Sequence, residues 1–234
     1  MKNIGIFAVP LALVVAACSS ESSKQDQDTG LDGVGATVDA PDTNPDGVAY
    51  PTQNIGVNAR SGTKPGNRIT NYKFYGYPDG NAANGLQPMS LAQFYDPAGK
   101  NHKLIHLQAS GVWCVYCQKE TETLVPLKAQ LDQRKVVWLQ TLAEGASQGS
   151  AAKQKDLDGW LAEYKSPYTT VLDPANHNLG VFYDAAALPW NGVVNAETME
   201  ILQSGTGAQT TADDILKEVD DWLGKIDSGE LNLK

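Results

Sequence analysis

Cysteine is scarce in this chain of 234 residues, which holds only three, at positions 18, 114 and 117. A secreted domain that depends on disulfides for its stability needs several pairs, so this chain is not a disulfide scaffold. Histidine is equally scarce, with three residues. A structural zinc site needs four nitrogen or sulfur ligands, usually in two paired sets, and is not expected either. The cysteines are therefore expected to serve a reaction or a modification.

The chain also lacks an apolar run long enough to cross a bilayer. Residues 4–16 are apolar, but a span needs about 20 residues, and Pro10 interrupts the run. The run follows a positively charged start, as in the h-region of an export signal. It ends in two alanines and Cys18, an arrangement that resembles the bacterial lipobox. By that resemblance, residues 1–17 are a lipoprotein signal peptide and Cys18 is the lipidated first residue of the mature protein.

Positive charge is in deficit, because 18 Lys and Arg residues face 27 Asp and Glu residues and the formal net charge is -9. Nucleic-acid binding needs a basic face and is not expected. Seven of the acids lie between Cys18 and Tyr50, in a stretch with almost no large apolar residues. Such a stretch cannot bury enough surface to offset its ordering entropy. Residues 18–65 are therefore predicted to be a lipidated, acidic, disordered tether before a domain at 66–234.

Residues 66–234 alternate between strand-like and helix-like patterns. Apolar residues at intervals of three and four indicate helices, and short apolar runs between turn residues indicate strands. Pro126 is expected to kink its helix because proline lacks the backbone N–H. The predicted strands are 72–77, 104–109, 136–139, 169–172, 192–194 and 199–203, and the predicted helices or helical turns are 90–95, 114–133, 151–164, 175–183 and 211–224.

The most informative motif, Trp-Cys-Val-Tyr-Cys at 113–117, joins the strand at 104–109 to the following helix. Two cysteines three positions apart at a helix start lie on one face, close enough to form a disulfide. Cys114 lies at the helix N-terminus, where free N–H groups and the helix dipole favour a thiolate. Cys117 lies one turn further in. We therefore expect Cys114 to form a mixed disulfide with a substrate and Cys117 to resolve it.

Residues 66–224 resemble the extracytoplasmic thioredoxins of the TlpA/ResA-like group. The resemblance rests on the Trp-Cys-Xaa-Xaa-Cys motif, on Ser90-Leu91 before the strand, on Glu120 after the second cysteine and on Pro189 before a hairpin. It implies an α/β chain with a thioredoxin-like fold, in which helices flank a central mixed β-sheet and an N-terminal extension precedes it. It also implies that Glu120 lies near the thiols and tunes or shuttles protons, and that Pro189 is cis and faces the cysteine pair.

Two features of the site distinguish the chain from classical thioredoxins. Gln108 occupies the position of their buried, ionisable aspartate. His106 is expected to be a hydrogen-bonded core residue, and the alternative is that it takes part of the role of that aspartate. The dipeptide Val115-Tyr116 lacks the proline common in the group and resembles some disulfide isomerases and glutaredoxins, which leaves the direction of electron flow open. The residues predicted to line a substrate groove are Trp113, Tyr116, Leu188 and Trp190.

The expected function is that of a membrane-anchored, extracytoplasmic thiol–disulfide oxidoreductase that reduces disulfides of exported proteins. Its expected partners are exported proteins with disulfides or thiols, a membrane thiol that donates or accepts electrons, and the membrane itself through the lipid on Cys18. No cofactor, metal or nucleic acid is expected. Because Ser19 and not aspartate follows Cys18, the expected location is the outer membrane, facing the periplasm, in a Gram-negative cell, and the outer face of the cell membrane otherwise.

Three alternatives stay open at the level of the sequence. The first is a disulfide isomerase or oxidase, which would use the same cysteine pair. The second is a thioredoxin-fold copper-binding lipoprotein with His177 as distal ligand, although three residues between the cysteines would suit it better. The third is a non-catalytic envelope scaffold. Peroxiredoxin chemistry is not expected, because the chain lacks the Pro-Xaa-Xaa-Xaa-Thr context of a peroxidatic cysteine.

Overall fold

In residues 37–52 and 62–231, which the computed structural model describes, seven strands form one mixed β-sheet and four α-helices pack against it. The strands are β1 (Lys73–Tyr77), β2 (Gln87–Ser90), β3 (Leu104–Gly111), β4 (Val136–Glu144), β5 (Thr169–Leu172), β6 (Trp190–Asn195) and β7 (Ile201–Thr206). The α-helices are α1 (Val115–Leu124), α2 (Lys128–Gln133), α3 (Gln154–Tyr164) and α4 (Ala212–Asp227). The predicted alternation of strands and helices, the hairpin and the closing helix are thus present.

β3 lies inside the sheet, whose strand order is β2-β1-β5-β4-β3-β6-β7. It runs parallel to β4 and antiparallel to β6, and all of its residues are buried. The register places Gln108 between Gln140 of β4 and Asn191 of β6. Side chains of directly paired residues point to the same face of a sheet. Three polar side chains therefore meet on one buried face, just before β3 leads into the cysteine motif.

Pro126 divides the helix predicted for 114–133, as expected. A 3₁₀ turn over Val125–Leu127 separates α1 from α2. Proline cannot donate a backbone hydrogen bond, so it fits at the start of a turn and not inside a helix. The short first helix leaves the cysteine motif at its own N-terminus, against the carboxyl end of β3.

Two other elements differ from prediction. The segment 175–183 is not one short helix but two 3₁₀ turns, because Ala175 and Asn176 have left-handed φ values of 54° and 58° that a continuous helix excludes. β2 was not predicted, since Pro88 weakens the strand pattern. It is an edge strand paired only with β1 in the described sheet, and proline is tolerated at such an edge.

The two faces of the sheet bury different sets of apolar residues. One face packs against α1, α2 and α4, whose buried side chains meet those of Leu104, Trp138 and Val193. The other face packs Ile105 and Leu107 against 3₁₀ turns and loops. Burial of this area, at roughly 25 cal/mol per Å², is the main stabilising contribution to such a domain. Both faces of β3 are covered, so the site at its end rests on a rigid strand.

Residues 37–52 pack on the domain, which corrects the predicted extent of the disordered tether. The Asn44 amide donates to the carbonyl of Tyr95 at 2.9 Å, and the Tyr50 hydroxyl donates to the carbonyl of Ile69 at 2.6 Å. Asp42 pairs with Lys73 at 3.1 Å. These contacts are polar and use few residues, so the acidic, Gly- and Pro-rich composition did not indicate them. The predicted flexibility therefore does not extend through all of residues 18–65.

The membrane predictions concern the N-terminal part of the chain. No helix in residues 37–52 or 62–231 is long and apolar enough to cross a bilayer. The predicted signal peptide at 1–17, the lipidation site Cys18 and the first part of the tether lie outside the described residues.

Candidate redox site

Cys114 and Cys117 are joined by a disulfide at the start of α1, with their Cα atoms 5.2 Å apart. Cys114 is the N-cap of the helix, and its Sγ accepts a hydrogen bond from the backbone N–H of Cys117 at 3.1 Å. The first N–H groups of a helix have no intrahelical partner, and they stabilise negative charge on sulfur once the disulfide is reduced. The two cysteines are therefore inequivalent, and Cys114 occupies the position that favours the thiolate.

The two residues between the cysteines are exposed although they are apolar or aromatic. Val115 is 69% and Tyr116 is 68% exposed, whereas Cys114 is 2% and Cys117 is 0% exposed. A chain that approaches the disulfide therefore meets the Val115-Tyr116 pair first. Tyr116 was predicted to contact substrate, and Val115 was not.

The loop before β6 lies close to the cysteine motif. The peptide bond between Leu188 and Pro189 is cis, as predicted. Leu188 packs in the same apolar cluster as both cysteines and Trp113. A Cβ atom on Gly111 would lie 2.9 Å from Trp113 Nε1 and 3.3 Å from Leu188 Cδ1. Glycine at the end of β3 thus allows these two predicted groove residues to approach the site closely.

Glu144, at the end of β4, fixes Trp113 beside the disulfide and was missed by the sequence analysis. It is buried, and its Oε2 accepts from Trp113 Nε1 at 2.6 Å and from the N–H of Gly149 at 2.9 Å. Its Oε1 accepts from Asn176 Nδ2 at 3.3 Å. Three donors satisfy the two oxygens of this buried carboxyl group, as buried polar atoms require. The sequence signal that could have indicated Glu144 is an acidic residue at the end of an otherwise buried strand.

Trp190 supports the site from the core and does not line a groove, so that prediction is wrong. It is 1% exposed, and its Nε1 donates to Ser204 Oγ at 3.0 Å. Its ring stacks on Tyr183, with centroids 5.6 Å apart. The Tyr183 hydroxyl donates in turn to Asn176 Oδ1 at 2.6 Å. Asn176 also donates to Glu144, which accepts from Trp113. Tyr183, Asn176 and Glu144 therefore connect Trp190, next to Pro189, with Trp113.

Glu120 lies on the same face of α1 as Cys117, one turn away, and is fully buried. Burial raises its pKa to about 7, although three donated hydrogen bonds favour the carboxylate and act in the opposite direction. These come from the N–H of Gln209 at 2.8 Å, Asn191 Nδ2 at 3.0 Å and Gln108 Nε2 at 2.8 Å. Glu120 can therefore gain or lose a proton near neutral pH.

Gln108 is the link between Glu120 and the rest of the buried network. Its Oε1 accepts from Trp138 Nε1 at 3.2 Å and from Gln140 Nε2 at 3.1 Å. An indole N–H can only donate, so this contact fixes the orientation of the Gln108 amide and directs its NH₂ to Glu120. Gln108 cannot ionise, but it hydrogen-bonds to the acid that does.

His106 is a buried core histidine, as expected, and it belongs to the same network. It is 1% exposed, its Nε2 lies 2.8 Å from Asn191 Oδ1, and its ring stacks on Trp138 at a centroid distance of 3.5 Å. Burial lowers the pKa of His106, while the nearby Glu218 carboxyl acts in the opposite direction. A hydrogen-bonded path from His106 to Glu120 therefore runs through Asn191.

Residues 37–52 and 62–231 contain no group of three or more His, Cys, Asp or Glu side chains placed to hold a metal ion. His177, the candidate distal copper ligand, is an exposed residue.

Comparison with known proteins identifies the fold. No protein-family model and no curated protein matches the chain. Among solved structures, Enterococcus faecalis AhpC has a TM-score of 0.53 at 14% identity, over 70% of this chain and 95% of that one. The reduced 2-Cys peroxiredoxin of Plasmodium vivax has a TM-score of 0.53 at 16% identity, over 70% and 84%. A putative thiol:disulfide interchange protein DsbE from Chlorobium tepidum has a TM-score of 0.50 at 14% identity, over 69% and 99%.

The chain has a thioredoxin-like fold. The predicted fold class is thereby confirmed, whereas the narrower likeness to the TlpA/ResA-like group stays a prediction. In this thioredoxin-like fold the cysteine pair occupies a strand-to-helix junction, next to a buried acid and a cis proline. A disulfide at such a junction can accept two electrons, and the resulting dithiol can return them.

Proposed function

We propose that the protein is a thiol–disulfide oxidoreductase, anchored by a lipid outside the cytosol, that reduces disulfides of exported proteins. The observation that carries the proposal is the Cys114–Cys117 disulfide at the N-terminus of α1, with Glu120 buried on the same helix face. A structural cross-link would not require an ionisable carboxyl group to be buried one turn away, at the cost of desolvating it.

The reaction begins from the reduced pair. The Cys114 thiolate attacks one sulfur of a substrate disulfide, so that a mixed disulfide forms and the first substrate sulfur leaves as a thiolate. Cys117 then loses its proton and attacks Cys114 Sγ. The Cys114–Cys117 disulfide forms, and the second substrate sulfur leaves as a thiolate. Two electrons have passed to the substrate, which takes up two protons as its thiolates are neutralised.

Glu120 is the proposed acceptor of the Cys117 proton. Cys117 is buried, and Glu120 is the buried carboxyl group on the same face of α1. A pKa of about 7 suits this role, because the carboxylate and the acid are both populated at neutral pH. In the reverse direction Glu120 returns the proton when the disulfide is reduced.

The groove predicted from the sequence changes by one residue, because the exposed Val115 replaces the buried Trp190. Trp113 and Leu188 pack beside the cysteines, and Val115 and Tyr116 present exposed surface between them. We propose that substrate chains contact this surface. Glu144 is a positioning residue, because it holds the Trp113 ring through its Nε1.

Regeneration of the dithiol needs two electrons from a second thiol pair, and we propose a membrane thiol carrier as the donor. The direction of flow is tested by the reduction potential of the pair. A value near the thioredoxin value of about -270 mV supports a reductase, and a value near about -120 mV supports an oxidase. The Val115-Tyr116 dipeptide favours an isomerase as the second candidate, for which a value near about -180 mV is expected.

The lipid anchor is proposed from the apolar run at 4–16 that ends at Cys18. A single acyl chain gives only marginal membrane binding, so stable anchoring needs the several chains of a bacterial lipoprotein. Metabolic labelling with a radioactive fatty acid should label the wild-type protein and not Cys18→Ser. Equal labelling of the two proteins would contradict the anchor.

Insulin reduction by dithiothreitol-recycled protein tests the oxidoreductase. We expect catalysis by the wild type and none by Cys114→Ala. The control is Glu122→Gln, which changes an exposed side chain of the same helix and should reduce insulin at the wild-type rate. If Cys114→Ala and the wild type reduce insulin at the same rate, the proposed function is wrong.

A further inference from the structure

The part of the buried network beyond Asn191 is not explained by the thiol chemistry. Asn191 Nδ2 donates to the carbonyl oxygen of Gly207 at 3.0 Å, and a carbonyl can only accept. The orientation of the Asn191 amide is therefore fixed, with its Oδ1 towards His106. Because Oδ1 can only accept, the His106 Nε2 atom, 2.8 Å away, must carry a hydrogen. The remaining ring nitrogen, Nδ1, is then the only site on His106 that can gain or lose a proton.

Glu218 of α4 faces that nitrogen. Its Oε1 lies 3.6 Å from His106 Nδ1, is buried, and has no hydrogen-bond partner among the described residues. Its Oε2 accepts from Gln203 Nε2 at 2.7 Å, and Gln203 is itself oriented by the Trp222 indole, which donates to its Oε1 at 2.9 Å. The carboxyl group is thus held with one oxygen towards His106. If neither His106 Nδ1 nor Glu218 Oε1 carries a proton, their lone pairs face each other at a buried position and repel. A proton on either atom makes the contact attractive.

We propose that one proton resides on either His106 Nδ1 or Glu218, so that the pair is neutral. We further propose that this neutral pair, linked to Glu120 through Asn191, keeps the charge of Glu218 from raising the proton affinity of Glu120. His106 and Glu218 are positioning residues in this role, since they act through Asn191. The proposal depends on the proposed function only for what Glu120 then does for the thiols.

The charges around the pair support this role. From α1, the Glu120 carboxyl faces the pair. Glu218 raises the Glu120 pKa only in its ionised form, whose charge the proton on the pair cancels. From β4, only the neutral Trp138 ring covers His106. On its outer side, Glu218 borders a cavity of about 300 Å³ between β7 and α4, with charged lining residues Asp214, Lys217, Asp221 and Lys225. The pair therefore separates the buried acid from a polar surface where protons exchange with solvent.

The wild-type protein gives the first test. NMR of the oxidised protein labelled with ¹⁵N-histidine and ¹³C-glutamate should show, near neutral pH, either a protonated His106 Nδ1 or a protonated Glu218 carboxyl. A bare Nδ1 together with an ionised Glu218 would overturn the proposal. This measurement uses the wild-type protein and no substrate, so its result does not depend on the oxidoreductase activity.

Two variants give the second test, with the Glu120 ¹³C titration midpoint as the readout. His106→Gln keeps a donor for Asn191 but cannot hold a proton towards Glu218, so Glu218 becomes an unpaired anion. The proton affinity of Glu120 should then rise about tenfold, which is one pH unit. Glu218→Gln should change it little, and the double variant should return it close to the wild type.

The matched control is Asp221→Asn, which removes a charge from the exposed face of the same helix and should leave the midpoint unchanged. If Glu218 is instead an ionised carboxylate beside a neutral histidine, the other of the two variants should change the Glu120 midpoint. His106→Gln then leaves the Glu120 midpoint where it is and Glu218→Gln lowers it, and that result would overturn the proposal.

Discussion

Replacement of Glu120 by glutamine should change how the stability of the oxidised protein depends on pH. The folded protein raises the pKa of this carboxyl from an ordinary 4.5 to about 7, mainly because the group is buried. Between these values the folded state binds a proton that the unfolded state has released. The free energy of unfolding should therefore fall as the pH rises from about 4.5 to about 7, and level off above that range.

The magnitude follows from the size of that interval. Each pH unit between the two pKa values corresponds to about 1.4 kcal/mol, so Glu120 should remove about 3 kcal/mol from the unfolding free energy across the range. Glutamine cannot ionise and removes this contribution. Its NH₂ group faces the Gln108 NH₂ group, whose orientation is fixed, so the variant also loses one hydrogen bond at every pH, at a cost of about 1–3 kcal/mol.

The assay is denaturant unfolding of oxidised wild type and Glu120→Gln at half-unit steps from pH 4.5 to 8. Subtraction of the two curves cancels the other titrating groups, and Glu122→Gln should follow the wild type because Glu122 is exposed. The wild type should lose about 3 kcal/mol relative to Glu120→Gln as the pH rises. A constant difference between the two proteins across this range would refute the assignment of a raised pKa to Glu120.

Two further changes test the surroundings of the site. Glu144→Gln should lower the free energy of unfolding by about 1–3 kcal/mol, because the new NH₂ group must face one of the three groups that donate to Glu144. A free energy of unfolding within about 0.5 kcal/mol of the wild type would mean that these hydrogen bonds do not hold Glu144 in place. Tyr50→Phe should cost about 1 kcal/mol in the same assay by removing the hydrogen bond to Ile69, whereas Tyr116→Phe, at an exposed position, should cost nothing measurable. Equal stability of the two tyrosine variants would mean that the Tyr50–Ile69 hydrogen bond does not stabilise the domain.

The sequence predicts the elements that depend on local pattern. The spacing of Cys114 and Cys117 at a helix start is a local feature, and so is the kink at Pro126. The burial of Glu120 was also within reach, because it shares the helix face of Cys117 and Leu124, which are both buried. The contacts of Glu144 and the His106–Asn191 hydrogen bond could not be predicted from local pattern. His106 and Asn191 lie 85 positions apart in the chain and are brought together by the register of β3 and β6. Composition gave a wrong extent for the tether because a few hydrogen bonds hold residues 37–52.

In the proposed reaction, Cys114 exchanges disulfides with a substrate and Cys117 resolves the mixed disulfide. The most direct test is mass spectrometry of Cys117→Ala after incubation of the reduced protein with a disulfide-bonded peptide. We expect a stable mixed disulfide at Cys114, and no comparable adduct at Cys117 in Cys114→Ala, because Cys114 and not Cys117 occupies the helix N-cap. An adduct that forms equally well at Cys117, or no adduct at either cysteine, would show that the roles proposed for the two cysteines are wrong.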